Sequence, residues 1–365
     1  MTDQFLDKKL LEREQNHSLR SLNIEEKDMI DFSSNDYLGI VKNKLIETLI
    51  DPHLSHGSTG SRLLSGNYEL LEETEKLLAG FHQAKAGLIY NSGYDANTGL
   101  LSGVPQKNDT IIYDQLSHAS LRDGIRLSFA NAFSFLHNDL QDLEKKLRRV
   151  KDDHQKFLVT ESVFSMDGDV AHLKEISALC EKYNVALIVD EAHATGVIGS
   201  KGEGLVQQLN LQEKCFARIH TFGKACGAHG AIILGSEKLK KYLINYSRQF
   251  IYSTSLPPSS TAAIKISYQT FPSMEMERKH LQQLAEVFKT VSSKFKILKS
   301  ETPIQAIIIP GNEEVKRIAT ICREKKFDIR PILYPTVPKG LERLRIVLHS
   351  FNTIEEVQAL VNMLP

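Results

Sequence analysis

The sequence predicts an α/β protein built on a mostly parallel seven-stranded sheet, followed by a smaller α+β C-terminal domain. Three observations lead there. Seven short apolar runs lie between residues 86 and 235, amphipathic stretches separate most of them, and the pattern changes after Leu256-Pro257-Pro258.

The stretch to about Lys27 is charged but carries Phe5, Leu6, Leu10 and Leu11, which reads as a helix lying across a surface. From Asn67, the residues Leu70, Leu71, Thr74, Leu77, Leu78 and Phe81 share one helical face, with Asn67 available as a cap. The apolar runs follow: AGLIY (86–90), TIIY (110–113), AFSFL (132–136), FLVT (157–160), ALIVD (186–190), ARIHTF (217–222) and GAIILG (230–235). They are too short for helices and too continuous for half-exposed strands, which suits parallel strands covered on both faces. The stretches 117–129, 138–149 and 171–183 supply the helices between them. Only Gly-Lys-Ala-Cys-Gly-Ala-His separates the last two runs, so these can pair antiparallel.

Beyond the prolines, helical patterns at 275–299 and 313–326, strand-like runs at 306–310 and 344–348, and a closing helix at 353–364 form the smaller domain. The expected organisation is an N-terminal arm (1–45) packing on the small domain, a large domain (46–255) and a small domain (256–365).

At 365 residues with 41% hydrophobic content, the chain can bury a sizeable core. Its 45 basic and 45 acidic residues cancel, which removes the usual electrostatic footprint of a nucleic-acid binder. No apolar run reaches the ~18 residues of a membrane helix. The N-terminus is too polar for a signal peptide. Cys180, Cys215, Cys226 and Cys322 form no Cys-x-x-Cys pair and read as reduced thiols of a soluble, cytoplasmic protein.

Four segments carry candidate chemistry. Lys224 follows an apolar strand and sits between Gly223 and Gly227, where a backbone can approach another molecule. Asp190 and His193 lie at the end of ALIVD, and acids at the carboxyl ends of parallel strands face the ligand side of α/β sheets. Alone, Asp190 would more often be a cap. Asn91-Ser92-Gly93-Tyr94-Asp95 joins a strand to a helix-like stretch starting near Ala96, and amides at a helix start suit a phosphate. Ser117-His118 puts an imidazole at another strand end, where a lone histidine is more often a satisfied structural residue. There is no Walker loop and no Gly-x-Gly-x-x-Gly fingerprint, and His193 and Asp190 lack a third ligand at a metal-binding spacing.

Pyridoxal 5'-phosphate needs all four: an amine for its aldehyde (Lys224), an acid opposite its ring nitrogen (Asp190), a phosphate cradle (Ser92, Gly93, Tyr94) and a flat group against its ring (His118). Thr221, three residues before the lysine, can reach the phosphate with its hydroxyl.

On these residues the chain resembles the α-oxoamine synthases, within the aspartate-aminotransferase-like (fold type I) pyridoxal-phosphate enzymes. The likeness runs from FSSNDYLG (32–39) through GSTGSRLLSGN (57–67), DQLSHASLRDG (114–124), ESVFSMDGD (161–169), DEAHATGVIG (190–199), TFGK (221–224) and IYSTSLPP (251–258) to PTVPKGLERLRI (335–346). The resemblance implies that Lys224 binds the cofactor and then acts as general base, and that Asp190 pairs with the ring nitrogen. It further implies that His193 bonds the ring's phenolic oxygen, and that His118 stacks on the ring and contacts substrate.

Ser165 and Thr221 would add polar contacts. Tyr252, Ser253 and Thr254 would reach the phosphate of a second subunit, making a homodimer with shared active sites. Arg345 would hold the amino-acid carboxylate through its planar fork, with Asn35 facing substrate. Thr336 and Arg20, or Arg13 in place of Arg20, would meet the acyl substrate. The chain departs from the family pattern at Glu191, Ala194, Ala225 and Cys226, and in Arg330-Pro331-Ile332-Leu333-Tyr334-Pro335.

The activity implied is a decarboxylative condensation. Within the family, the wording of FSSNDYLG, SHASLRDG, FSMDGD and YSTSLPP favours the branch that joins L-alanine to a pimeloyl thioester. The alternatives are the sister activities (glycine C-acetyltransferase, 5-aminolevulinate synthase and serine palmitoyltransferase) and a non-catalytic sensor on the same fold. A decayed site would have lost Lys224, Asp190 or His118, and all three are present.

Overall fold

A computed structural model describes the whole chain except residues 1, 2, 23, 25, 27, 152 and 365. Contacts divide it into two compact units. The larger is Leu38–Ser165 with Val170–Arg278, and the smaller is Met1–Tyr37, Met166–Asp169 and Lys279–Pro365.

The first strand, β1 (Ile30–Asp31), belongs to the smaller unit. The larger unit holds β2 (Ala86–Tyr90), β3 (Thr110–Asp114), β4 (Asn131–Phe135), β5 (Lys156–Glu161), β6 (Ala186–Asp190), β7 (Cys215–Thr221) and β8 (Ala231–Gly235). They form one sheet in the order β2-β8-β7-β6-β5-β3-β4. This is the fold type I aminotransferase architecture. All pairings are parallel except those of β8, which runs antiparallel to both β2 and β7. The nine residues between Thr221 and Ala231 are too few for a right-handed crossover, so the short link after β7 forces β8 to reverse.

Full burial of β2 agrees with its apolar sequence, and β5 is buried throughout although Lys156, Thr160 and Glu161 flank its apolar centre. The run at 132–136 differs: β4 is the sheet edge, and Asn131, Ala132 and Phe133 are exposed. Leu88, Leu100, Ile111, Ile219 and Ile233 share one buried apolar cluster. Each such side chain contributes roughly 1.5–3 kcal/mol through burial.

Helices fall between the strands as the amphipathic stretches imply: Ala119–Leu127, Leu140–Leu147 and Leu173–Lys182. The helix after Asn67 runs Glu69–Phe81 but is not capped by Asn67. The Asn67 carbonyl oxygen instead accepts from the Arg62 guanidinium at 2.8 and 2.9 Å, an arrangement that out-competes a single amide.

Pro258 opens the helix Pro258–Thr270, as a first-turn proline can. That helix packs on Glu69–Phe81 inside the larger unit, with the Tyr68 hydroxyl 2.6 Å from Thr261 Oγ1 and Phe81 edge-on to Tyr268. The contact division therefore falls at Tyr37/Leu38 and Arg278/Lys279, whereas the sequence suggests 45/46 and 255/256.

In the smaller unit, β9 (Ile304–Ile308), β11 (Arg330–Ile332) and β12 (Arg343–Val347) form an antiparallel sheet, while β1 pairs with β10 (Phe327–Asp328). Residues 279–291 of the helix Glu275–Val291 complete it with the helices Asn312–Glu324 and Ile354–Met363, the last starting with a capping box of Thr353 and Glu356. The N-terminal helix Asp7–Gln15 is exposed along its length. None of the described helices is long and apolar enough to cross a membrane.

Candidate active site

The parallel strands of the larger unit deliver acids to their carboxyl ends. Asp190 closes β6 and is 4% exposed. Its two oxygens accept from Asn97 Nδ2 at 2.7 Å and from the Ala192 amide at 2.9 Å. Asn97 comes from the buried face of the helix Gly93–Gly103 and also donates to Ser120 Oγ at 3.0 Å. Ser120 Oγ lies 2.8 Å from His118 Nδ1, so a polar chain runs from Asp190 to the imidazole.

His118 caps the helix Ala119–Leu127, its Nδ1 accepting from the Ser120 amide at 3.2 Å. An Nδ1 that accepts leaves the proton of a neutral ring on Nε2. Burial, helped by the Lys224 ammonium, holds the imidazole below its ordinary value against the pull of Asp190. The ring is therefore neutral near pH 7. The mutual influence of His118, Asp190 and Lys224 also shows that the fold brings these three together.

Lys224 follows β7 on a turn, its Nζ 3.4 Å from Thr221 Oγ1. Thr221 in turn meets Gly93: a β-carbon at residue 93 would approach the Thr221 methyl to 2.6 Å. Glycine is thus required where the strand β7 touches the helix start. Ser92 caps that helix by accepting from the Asp95 amide at 3.0 Å, and the amides of Gly93 and Tyr94 have no acceptor among the described residues. Open amides at a helix N-terminus, a threonine hydroxyl and a lysine amine on one rim fit a phosphate-bearing aldehyde. An acid bonded only by neutral donors fits a protonated ring nitrogen.

The remaining expected residues of this unit occupy varied settings. His193 is buried in the turn after β6 and Ser165 is half-buried after β5. Tyr94 is exposed, with its hydroxyl on Asp123. Thr254 is exposed, and its carbonyl accepts from Asn91 Nδ2 at 2.8 Å, which ties its segment to the phosphate-side loop. Cys226 is fully enclosed and burial pushes its thiol up to about 12, so no thiolate forms beside Lys224 near neutrality. Among the described residues, no cluster of His, Cys, Asp or Glu could hold a metal ion.

The smaller unit gathers a second group. Arg345 on β12 is 8% exposed and donates from Nη2 to Asn35 Oδ1 at 3.1 Å. The Tyr37 hydroxyl also reaches Asn35 Oδ1, at 3.3 Å, and burial pushes that phenol up to about 12 despite Arg345 nearby. A planar guanidinium in this setting has the fork geometry that suits an incoming carboxylate. Arg20 donates to Thr336 Oγ1 at 3.3 Å, while Arg13 lies on the exposed N-terminal helix.

Sequence reasoning passed over Asn97, Ser120 and Glu161. Asn97 meets Asp190 across 93 positions and Glu161 meets the His118 amide across 43, contacts that no local spacing announces, while Ser120 joins its near neighbour His118 to Asn97.

The model of class I and II aminotransferases matches residues 27–364. An 8-amino-7-oxononanoate synthase of Emericella nidulans is 39% identical, with 96% of this chain and 92% of the relative covered. The chain belongs to that family, in its α-oxoamine synthase branch. A further 8-amino-7-oxononanoate synthase, from Lysinibacillus sphaericus, is 38% identical with 91% and 86% covered.

Solved α-oxoamine synthases share the fold. A serine palmitoyltransferase from S. paucimobilis with bound pyridoxal phosphate–myriocin superposes with a TM-score of 0.89 at 25% identity, covering 99% of this chain and 96% of that one. An 8-amino-7-oxononanoate synthase from Francisella tularensis gives 0.78 at 28% identity, covering 93% and 97%. This α-oxoamine synthase is accordingly a pyridoxal-phosphate-dependent acyltransferase.

Proposed function

We propose that this α-oxoamine synthase condenses L-alanine with a pimeloyl thioester, releasing carbon dioxide and the thiol, to give 8-amino-7-oxononanoate for biotin synthesis. The observation that carries the substrate choice is the shared name of relatives 38–39% identical over more than nine-tenths of this chain. The thiol carrier is coenzyme A or a carrier protein.

Bound pyridoxal phosphate supplies an electron sink for the carbanion formed at the amino acid's α-carbon. The chain supplies the rest. Asp190, buried and held by Asn97, keeps a proton on the ring nitrogen, which is the electron-withdrawing state of the ring. Lys224 Nζ, beside Thr221, removes the α-proton and later returns it. His118 would lie against the ring and offer its Nε2–H to the acyl carbonyl, since Nδ1 is taken by Ser120.

Ser92, Gly93, Tyr94 and Thr221 hold the phosphate, His193 bonds the ring's phenolic oxygen, and Ser165 adds a polar contact. Arg345, braced by Asn35, holds the substrate carboxylate. Arg20 and Thr336 meet the acyl chain. We further read the enzyme as a cytoplasmic homodimer in which Thr254 reaches the partner's phosphate. Its exposure, with that of Tyr252 and Leu64, supports this reading.

Serine palmitoyltransferase is the second reading, favoured by the higher TM-score of 0.89. Thiol release separates the two. Purified enzyme is supplied with L-alanine, glycine or L-serine, each against pimeloyl and palmitoyl thioesters. The proposal expects the fastest release from L-alanine with the pimeloyl donor. Preferential use of L-serine with the palmitoyl donor would replace it.

A further inference from the structure

Three neighbouring parallel strands, β3, β5 and β6, each finish on a buried acid: Asp114, Glu161 and Asp190. Asp114 accepts from the amides of Leu116 at 2.8 Å and Asn138 at 3.0 Å, and meets His137 Nδ1 at 3.0 Å. Asp190 has Asn97 and Ala192. Glu161 is different. Its Oε1 accepts from the backbone amide of His118 at 2.6 Å, across 43 positions.

The strand register sets Glu161 directly opposite Asp190. The charged groups around it are Asp190 and Asp114 on the flanking strands, which oppose its ionisation, and Lys224, which favours it. Paired carboxylates on adjacent strand ends do not both ionise at little cost. Asp190 has two donors of its own, and Glu161, buried between two acids, is the one whose ionisation its surroundings oppose.

Deepening the site reading above, on which it rests, we propose that Glu161 is a positioning residue: its carboxyl group pins the His118 amide and thereby fixes the imidazole plane that faces the cofactor. Glu161 does this uncharged. Desolvation together with Asp190 holds its carboxyl well above the usual carboxylate range. A neutral acid there still offers a carbonyl oxygen to the amide.

The test compares wild type, E161Q, E161A and E161L by equilibrium binding of pyridoxal phosphate and by visible circular dichroism of the saturated proteins, which reports ring orientation. E161Q keeps an acceptor for the amide and is expected to bind within about 2-fold of wild type with an unchanged dichroic band. Loss of the acceptor in E161A or E161L is expected to weaken binding roughly 10-fold and to alter that band. E161A and E161L matching wild type in both readouts, or E161Q failing as badly as they do, would overturn the proposal.

An infrared difference between the apo forms of wild type and E161Q removes any dependence on how the truncated variants fold. It should contain one protonated carboxyl stretch. A carboxylate pair of bands in its place contradicts the uncharged Glu161. A wild type that takes up no pyridoxal phosphate overturns this proposal and the site reading together.

Discussion

Asp190 and Glu191 are neighbours in the chain and belong to two polar regions that handle burial in opposite ways. Around Asp190 the groups are linked through Asn97 and Ser120 to His118, and Lys224 stands at the rim. Around Glu191 the groups are sealed. Its Oε1 takes the amides of Leu205 and Val206 at 3.1 and 3.2 Å, and Arg218 donates to the His82 carbonyl at 2.7 Å.

His82 stacks on His220 with ring centroids 3.8 Å apart, and each bonds one hydroxyl: Tyr268 at 2.9 Å and Thr195 at 2.9 Å. Thr195 Oγ1 already donates to the Glu191 carbonyl, so it accepts from His220 Nδ1–H, and burial keeps that ring neutral. Both regions hold perturbed titratable groups. What separates them is access: the first presents open amides and an amine at a rim, while the second is buried throughout and keeps its unbonded atoms, Glu191 Oε2 and His82 Nδ1 among them, away from solvent. A shifted titration alone therefore does not mark a site here.

The largest effect should come from breaking the first region. Lys224→Ala is expected to lower turnover by roughly 10³-fold or more, because the general base and the cofactor's anchor are lost together. The apo protein's melting midpoint should stay within about 2 °C of wild type, since a rim lysine contributes little packing. Steady-state kinetics and calorimetry check both halves.

Breaking the second region should do the reverse. Arg218→Ala leaves the His82 carbonyl short of a donor and Glu191 short of its nearby cation. The expected cost is about 2–3 kcal/mol of stability, read from denaturant unfolding.

The pH dependence of stability sharpens the contrast. Burial holds His82 and His220 well below the ordinary imidazole value, so only the unfolded chain takes up their protons, and stability falls as pH drops below about 6.5. Glu191 has the opposite sign. Burial raises its carboxyl to about 7, so stability is lost as pH rises from about 4.5 through that value. Glu191→Gln should flatten this second limb by up to about 3 kcal/mol and leave the acid limb in place. An unchanged profile in a urea-unfolding series would contradict the assignment.

The smallest effect serves as a control outside both regions. Thr353→Ala removes one side of the capping box on Ile354–Met363 and should cost about 1 kcal/mol without altering cofactor uptake.

What was legible in the sequence follows the same division. Continuous apolar runs located all seven strands of the main sheet, because burial on both faces writes itself into consecutive residues. The edge position of β4 was not legible, since a run such as Asn131–Phe135 reads alike whether or not a helix covers it. Lys224, Asp190 and His118 stood out as polar residues ending apolar strands.

Asn97, Ser120 and Glu161 did not stand out. Register brings Glu161 to face Asp190, and the positions of the helices Gly93–Gly103 and Ala119–Leu127 bring Asn97 and Ser120 together. The His82–His220 stack was equally hidden, because it joins a helix end to a strand across 138 positions that no motif connects.

Borohydride reduction of the cofactor-loaded enzyme, followed by peptide mass mapping, tests the central claim most directly. The account predicts that the pyridoxyl group is recovered on Lys224. Recovery on a different lysine, or on none, would contradict it.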